Sequence, residues 1–196
     1  MSFLGAWVVM TVAMMLPSLI PMLRRYRQGV ERTGEIHLGW LTGLVGAGYF
    51  SIWTVIGMAL FPLGAALTAI EMDHPALMPA IPIAISTVVL IAGAIQLSSW
   101  KARQLFLCRR ASTFSADAPT AWRHGLHVGL LCSRSCANLM AILLVIGVMD
   151  AHAMAVVTVA ITLERLVPSS AQVARAIGAL LVAAGLVLVA RIAALG

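Results

Sequence analysis

Long apolar stretches, separated by short charged segments, most restrict what this chain can fold into. A helix needs about 20 mainly apolar residues to cross a bilayer. Hydrophobic residues make up 61% of the chain and charged residues 10%, far from an ordinary soluble domain. We predict an all-α, polytopic integral membrane helical bundle with a single transmembrane domain over residues 1–196, which excludes a soluble enzyme or a disordered regulator. The six predicted spans are about 3–23, 38–62, 77–99, 125–149, 153–167 and 172–195. The alternative for the second span is a longer one, because the apolar run interrupted by Pro62 continues to Ile70.

Basic residues predict the orientation of these spans. Eleven of the thirteen lysines and arginines lie in three segments between or beside spans, and the positive-inside rule makes those segments cytoplasmic. Both termini are then on the outer side, and the first span is expected to be an anchor rather than a cleaved signal peptide. The net charge of +6 is thus an orientation signal, and no nucleic-acid partner is expected. The eleven are Arg24, Arg25, Arg27, Arg32, Lys101, Arg103, Arg109, Arg110, Arg123, Arg165 and Arg175.

Sulfur side chains recur at helical spacing in the fourth span. Cys132, Cys136 and Met140 are successive i, i+4 neighbours, so they lie along one helix face. Two thiols on one helix point in parallel directions, which suits a shared metal better than a disulfide. Thiolate and thioether ligands favour Cu(I), whereas zinc would need further His or Cys ligands. The alternative is that these residues are small or flexible apolar packing groups.

The first span carries a second group of sulfur side chains. Met10 and Met14 are i, i+4 neighbours, and Met15 is adjacent. Counting from the predicted span ends places Met14 and Cys136 at similar depth, so the two sulfur faces are candidates to meet. A methionine taken singly is more often an ordinary lipid-facing or core residue.

Two outer turns resemble each other in their polar residues. One contains Met72 and His74 around an aspartate, and the other contains Met149, Asp150 and His152. Each turn offers a thioether, a carboxylate and an imidazole that together would capture a cation. We favour the simpler interpretation that Asp and His end helices in a polar layer.

The remaining polar residues are border or intramembrane groups. Gln96 ends the third span and is followed by Lys101, Gln104 and Cys108, which form an interfacial border where Cys108 is an inert or oxidisable thiol or a point of metal exchange. Arg134 is a charge within a span, where a partner is normal. Glu164 is its candidate counter-ion, and snorkelling to the cytoplasmic side is the competing explanation.

Enzyme signatures for phosphate binding, zinc proteolysis and nucleophilic hydrolysis are absent from the sequence, so no enzymatic activity is predicted.

Several of these runs occur in an order that resembles a known family. They are WVVMTVAMMLPSLIPML, the border from Gln96 to Cys108, the run from Cys132 to Met140 with GVMDAHAM after it, and Glu164 before Pro168. Together, over about residues 5–170, they resemble the uncharacterised bacterial family described as predicted metal-binding integral membrane proteins. The resemblance implies a sulfur-rich metal site formed by Met14, Met15, Cys132, Cys136 and Met149.

The chain departs from that family pattern at three positions. Gln104 and Ser135 stand where the family often has cysteine, and Arg134 stands where a small residue is usual. Many members also have an additional helix ahead of the first run. Loss of two cysteines argues against a four-cysteine zinc site and leaves a lower-coordinate Cu(I) site, or a degenerate site that no longer binds metal.

These observations lead to two hypotheses of different classes. The first is an inner-membrane protein that binds or passes a soft transition metal, copper before zinc, through a Cys/Met site. It would lie in the lipid bilayer and exchange metal with a donor or acceptor protein or a membrane complex. The second is a non-enzymatic subunit or assembly factor of a larger membrane complex, with sulfur as packing only.

Overall fold

A computed structural model describes residues 3–31, 37–73, 80–110, 117–146 and 150–195, and these residues form seven α-helices. The all-α prediction is therefore confirmed. The helices are α1 (Phe3–Glu31), α2 (Leu38–Asp73), α3 (Ile81–Leu97), α4 (Ser99–Arg110), α5 (Ala118–Ile146), α6 (Ala151–Leu166) and α7 (Ser170–Leu195).

Helix length and composition support fewer spans than the sequence predicted. Helices α1, α2, α5 and α7 are long and apolar enough to cross a membrane. Helices α3 and α4 meet at a 65° bend and would count as a fifth span only if taken together. Helix α6 has 16 residues, fewer than the roughly 20 that a span needs. The described part of the chain thus gives four spans, or five with the bent pair, and six are not confirmed.

Two predicted boundaries differ from the observed helices. Helix α2 passes Pro62 and continues to Asp73, as the apolar residues after Pro62 suggested. The segment after the third span was predicted as an interfacial border without assigned secondary structure, and it forms helix α4. Ser98 makes this possible because its backbone N–H bonds the carbonyl of Ile95 at the end of α3, while its hydroxyl accepts from the backbone N–H of Lys101 at 3.3 Å. One serine therefore ends α3 and caps α4.

The chain falls into two compact units whose boundaries lie inside helices. The first unit comprises Met1–Phe61 and Phe106–Ser135, and the second comprises Pro62–Leu105 and Cys136–Gly196. The single-domain assignment over residues 1–196 stays a prediction.

Close helix approach organises the first unit. A Cβ atom on Gly48 of α2 would lie 2.6 Å from the carbonyl oxygen of Trp122 in α5, and one on Gly125 would collide with the carbonyl of Val45. Glycine is therefore needed at both positions for α2 and α5 to approach this closely. On the other side of α2, the indole N–H of Trp7 in α1 donates to the carbonyl of Trp53 at 2.9 Å.

In the second unit, α3 packs closely on α7 through small residues. A Cβ on Gly178 would lie 2.9 Å from Leu97, and one on Gly93 would lie 2.8 Å from Val182. Ala174 and Gly178 have the small-xxx-small spacing that permits close helix packing, and both residues are buried.

Gly48→Ala should destabilise the protein, because the new methyl group would push α2 away from α5. We expect a loss of about 1–3 kcal/mol, as for other overpacked positions, measured as a lower unfolding temperature in detergent. Gly43→Ala is the matched control on the same helix, since nothing lies within 4 Å of its added methyl group. Equal unfolding temperatures for the two variants would contradict the close approach at Gly48.

Candidate metal site

Helix α5 carries the predicted row of sulfur atoms on its buried side. Cys132 and Cys136 are 0% and 1% exposed, and Met140 is also buried. The residues lie on successive turns, since i, i+4 neighbours on a helix have Cβ atoms about 5–6 Å apart. We call these three residues the sulfur row. None of the three cysteines of the chain forms a disulfide, in agreement with the parallel direction of the thiols.

A tyrosine hydroxyl contacts the first thiol of the sulfur row. The Tyr49 hydroxyl lies 2.7 Å from Sγ of Cys132, and either atom is able to donate the hydrogen bond. Both side chains are fully buried in the first unit. Tyr49 was not among the predicted site residues, because it lies 83 positions from Cys132 and no helical spacing connects the two.

The first-span methionines differ in burial. Met14 and Met15 are buried on α1, whereas Met10 is half-buried. The buried residues Thr11, Met14, Met15, Ser18 and Leu19 follow the i, i+3, i+4, i+7, i+8 spacing of one packed helix face. Both thioethers therefore lie inside the first unit. Their predicted meeting with the cysteines of α5, and hence their role as ligands, stays a prediction.

In the second predicted outer turn, Asp150 is a helix cap. Its carboxylate caps α6 by accepting from the backbone N–H groups of His152 and Ala153 at 2.8 and 2.9 Å. Those two N–H groups hold the pKa of Asp150 below its usual value. The His152 side chain is exposed, so this turn has the capping arrangement that we favoured. His74 and Met149 lie outside the described residues, and of Met72 the structure describes only its place in α2.

Two cysteines and a methionine make up the sulfur row, and thiolates and thioethers are ligands of soft metal ions. Among the residues that the structure describes, no group of three or more His, Cys, Asp or Glu side chains could hold a metal ion.

A buried polar cluster lies in the second unit, with one residue from each of four helices. Lys101 of α4 pairs with Glu164 of α6 at 2.9 Å, with side chains 0% and 2% exposed. The Gln96 amide of α3 donates to Glu164, and the Asn138 amide of α5 donates to Gln96. Lys101 also donates to the Asn138 side-chain oxygen at 3.4 Å. We call these four residues the polar cluster.

This cluster corrects one interpretation drawn from the sequence. Glu164 was the candidate counter-ion of Arg134, but it pairs with Lys101, and the Arg134 side chain is exposed. The physical reason is that the segment after α3 is helical and holds Lys101, which is fully buried, beside Glu164. The cytoplasmic position of that segment stays a prediction.

The rest of the predicted border lies on α4. Gln104, one turn after Lys101, is buried, and its side-chain oxygen has no hydrogen-bond partner among the described residues. Cys108, one turn further along, is half-buried. Lys101, Gln104 and Cys108 share one face of α4 by their spacing, so the border is a helix face rather than a loop.

Removing one member of the buried ion pair should destabilise the protein strongly. We expect Lys101→Met or Glu164→Gln alone to cost about 3–5 kcal/mol, because each leaves an uncompensated buried charge, and the double variant to recover most of that loss. The free energy of unfolding in detergent measures both. The control Arg134→Met should lie within about 0.5 kcal/mol of the original protein. An equally large loss in this control would restore Arg134 as a structural charge.

Comparison with known proteins gives one family. A family model, PpoB2, described as copper chaperone, matches residues 4–188. No curated protein and no solved structure matches the chain. The metal-related part of the resemblance noted from the sequence is thereby confirmed, whereas the match carries no statement about a membrane.

Proposed function

This chain belongs to the PpoB2 copper chaperone family, and from that premise we propose that it binds Cu(I) at the sulfur row of α5 as a multi-pass protein of the bacterial inner membrane. The observation that carries the proposal is the burial of two thiols and a thioether on successive turns of one apolar helix. Copper is the cargo in this proposal, taken from one partner and passed to another.

Buried sulfur atoms suit Cu(I) because this ion needs few ligands, and thiolates supply the negative charge that balances it. One Cu(I) held by two thiolates gives a site with one net negative charge, which is cheaper to bury than two separate thiolates. The thioether of Met140 would supply a neutral third ligand that adds no charge. Binding exchanges thiol protons for the metal, and copper keeps its oxidation state throughout.

Helices α1 and α4 supply candidates for the transfer steps. The thioethers of Met14 and Met15 belong to the same unit as Cys132 and would serve as further soft ligands. Cys108 is more accessible than the sulfur-row cysteines and would accept the ion or hand it to a partner protein. At the outer end, exposed His152 and the residues Met10, Met72, His74 and Met149 would collect copper.

Exposed apolar side chains support a membrane location. On α7, Leu180 is 71% exposed, and Leu186 and Val187 are more than half exposed. Only 11% of the most apolar part of α7 is buried. Soluble proteins rarely leave so continuous an apolar surface open, whereas lipid acyl chains would cover it without cost.

Copper binding should depend on the cysteine pair. We expect protein purified from copper-supplemented cells to hold about one copper per chain, and the variant Cys132→Ser with Cys136→Ser to fall to background, because both thiolates are lost. Elemental analysis of the purified protein measures this, with zinc determined in parallel.

The matched control for this experiment is Cys108→Ser. It should keep full copper content, because Cys108 lies on another helix, and it should slow copper release to an acceptor. Unchanged copper content in the double variant would instead favour the second hypothesis, in which the sulfur residues pack a non-enzymatic membrane subunit or assembly factor.

Reporter fusions should reveal the orientation of the spans. A fusion after residue 30 follows the basic end of α1 and should face the cytoplasm, whereas a fusion after residue 73 should face outward. Alkaline phosphatase activity, which requires export, should then be high at residue 73 and low at residue 30. Equal activity at the two sites would refute this topology, and recovery of the protein in the soluble fraction would refute the membrane location.

A further inference from the structure

The Tyr49 hydroxyl contacts the sulfur row, but it has no role in copper binding as proposed above. We propose that Tyr49 is a positioning residue for copper, whose hydroxyl hydrogen-bonds to Sγ of Cys132 and holds this sulfur in place to receive the ion. This inference rests on the proposed function and deepens it, because it assigns a residue outside the sulfur row to the same site.

Burial makes this hydrogen bond consequential. Tyr49 and Cys132 are both 0% exposed, so a thiolate at Cys132 would lack hydration. An isolated charge in such surroundings is costly unless a donor reaches it. The Tyr49 hydroxyl, 2.7 Å from the sulfur, is able to be that donor, and hydrogen bonds to ionised acceptors are about twice as strong as neutral ones.

The contact can persist while its direction reverses. A thiol is able to donate to the phenol oxygen, whereas a thiolate is acceptor-only, so the Tyr49 hydroxyl becomes the donor when Cys132 loses its proton. Cu(I) then takes the place of that proton on sulfur, and the proton leaves with the ligand group of the copper donor or with water. No electron is transferred, because copper stays Cu(I) and sulfur stays a thiolate.

Several other polar groups of the first unit have contacts of their own or are exposed. The Tyr26 ring stacks on the His124 ring at 5.6 Å between centroids, and His127 and Arg134 are exposed. The Ser135 hydroxyl donates to the backbone carbonyl of Cys132. Tyr26 is therefore a matched control, since it is a second buried tyrosine of the same unit.

The test compares Cu(I) affinities of purified variants in detergent, by competition with a Cu(I) chelator such as bathocuproine disulfonate. Tyr49→Phe should weaken binding about tenfold at neutral pH, the size expected for one hydrogen bond to a charged group. Tyr26→Phe should leave the affinity within about twofold. In a Cys136→Ser background the Tyr49→Phe effect should persist, and in a Cys132→Ala background it should vanish, because the acceptor is gone.

A second substitution keeps the test decisive if Tyr49→Phe does not fold. Replacing Tyr49 with 3-fluorotyrosine preserves the ring packing and makes the hydroxyl a stronger donor, so Cu(I) binding should tighten. A tyrosine with a merely structural role would not produce this gain.

The outcomes separate the two proposals. If copper binding requires the cysteine pair but Tyr49→Phe binds as tightly as the original protein, or if its loss is equal in the Cys132→Ala background, the role of Tyr49 is overturned and the sulfur site stands. If the cysteine pair itself is unnecessary for copper, the proposed function fails and the role of Tyr49 fails with it.

Discussion

The cost of burying a polar group without a partner governs much of this structure. With 61% hydrophobic residues, the chain has few polar groups that could pair with a buried polar atom. A buried polar atom without a partner is costly. The pair between Lys101 and Glu164 is the clearest response, since each charge is almost completely buried and is further bonded to a side-chain amide. The contact between Tyr49 and Cys132 likewise pairs two buried groups in the first unit.

The polar cluster and the sulfur row are two separate sets of residues, and the proposed chemistry belongs only to the sulfur row. The cluster draws one residue from each of α3, α4, α5 and α6, and it fixes these helices at the point where α3 and α4 bend. Such a network specifies one arrangement, because any other would leave a charge without its partner. The sulfur row is different, because thiols and thioethers are nearly apolar when no metal is bound. They therefore pack like hydrophobic residues and remain available to a soft ion.

The helices that bring these residues together rely on close backbone approach. Gly48 and Gly125 let α2 approach α5, which brings Tyr49, next to Gly48 in the chain, within reach of Cys132. In the second unit, Gly93 and Gly178 do the same for α3 and α7. Such contacts depend on small residues, because a larger side chain at these positions would hold the two backbones apart. The glycines thus position the residues on which the proposed chemistry depends.

Local sequence pattern was enough for features that follow from spacing along one helix. The spacing of Cys132, Cys136 and Met140 predicts a shared face on α5, and the structure adds that this face is buried. The Asp150 cap and the continuation of α2 past Pro62 were likewise expected from nearby residues. Helix α4 was missed because its many charged residues resemble an interfacial border. Helix α4 is stabilised by the Ser98 cap and by the ion pair between Lys101 and Glu164. Glu164 is too distant in the sequence for the residues around α4 to predict this pair.

By itself, the sequence determined that the chain is helical and apolar and that sulfur atoms recur on one face of α5, because these properties depend on composition and on the 3.6-residue period of a helix. The tertiary structure alone decided which partners the polar residues take. Glu164 pairs with Lys101 rather than Arg134, and Tyr49 contacts Cys132 across 83 positions. Such pairings depend on which helices pack together and on the angle between them. The spacing of residues along the chain does not reveal these tertiary contacts.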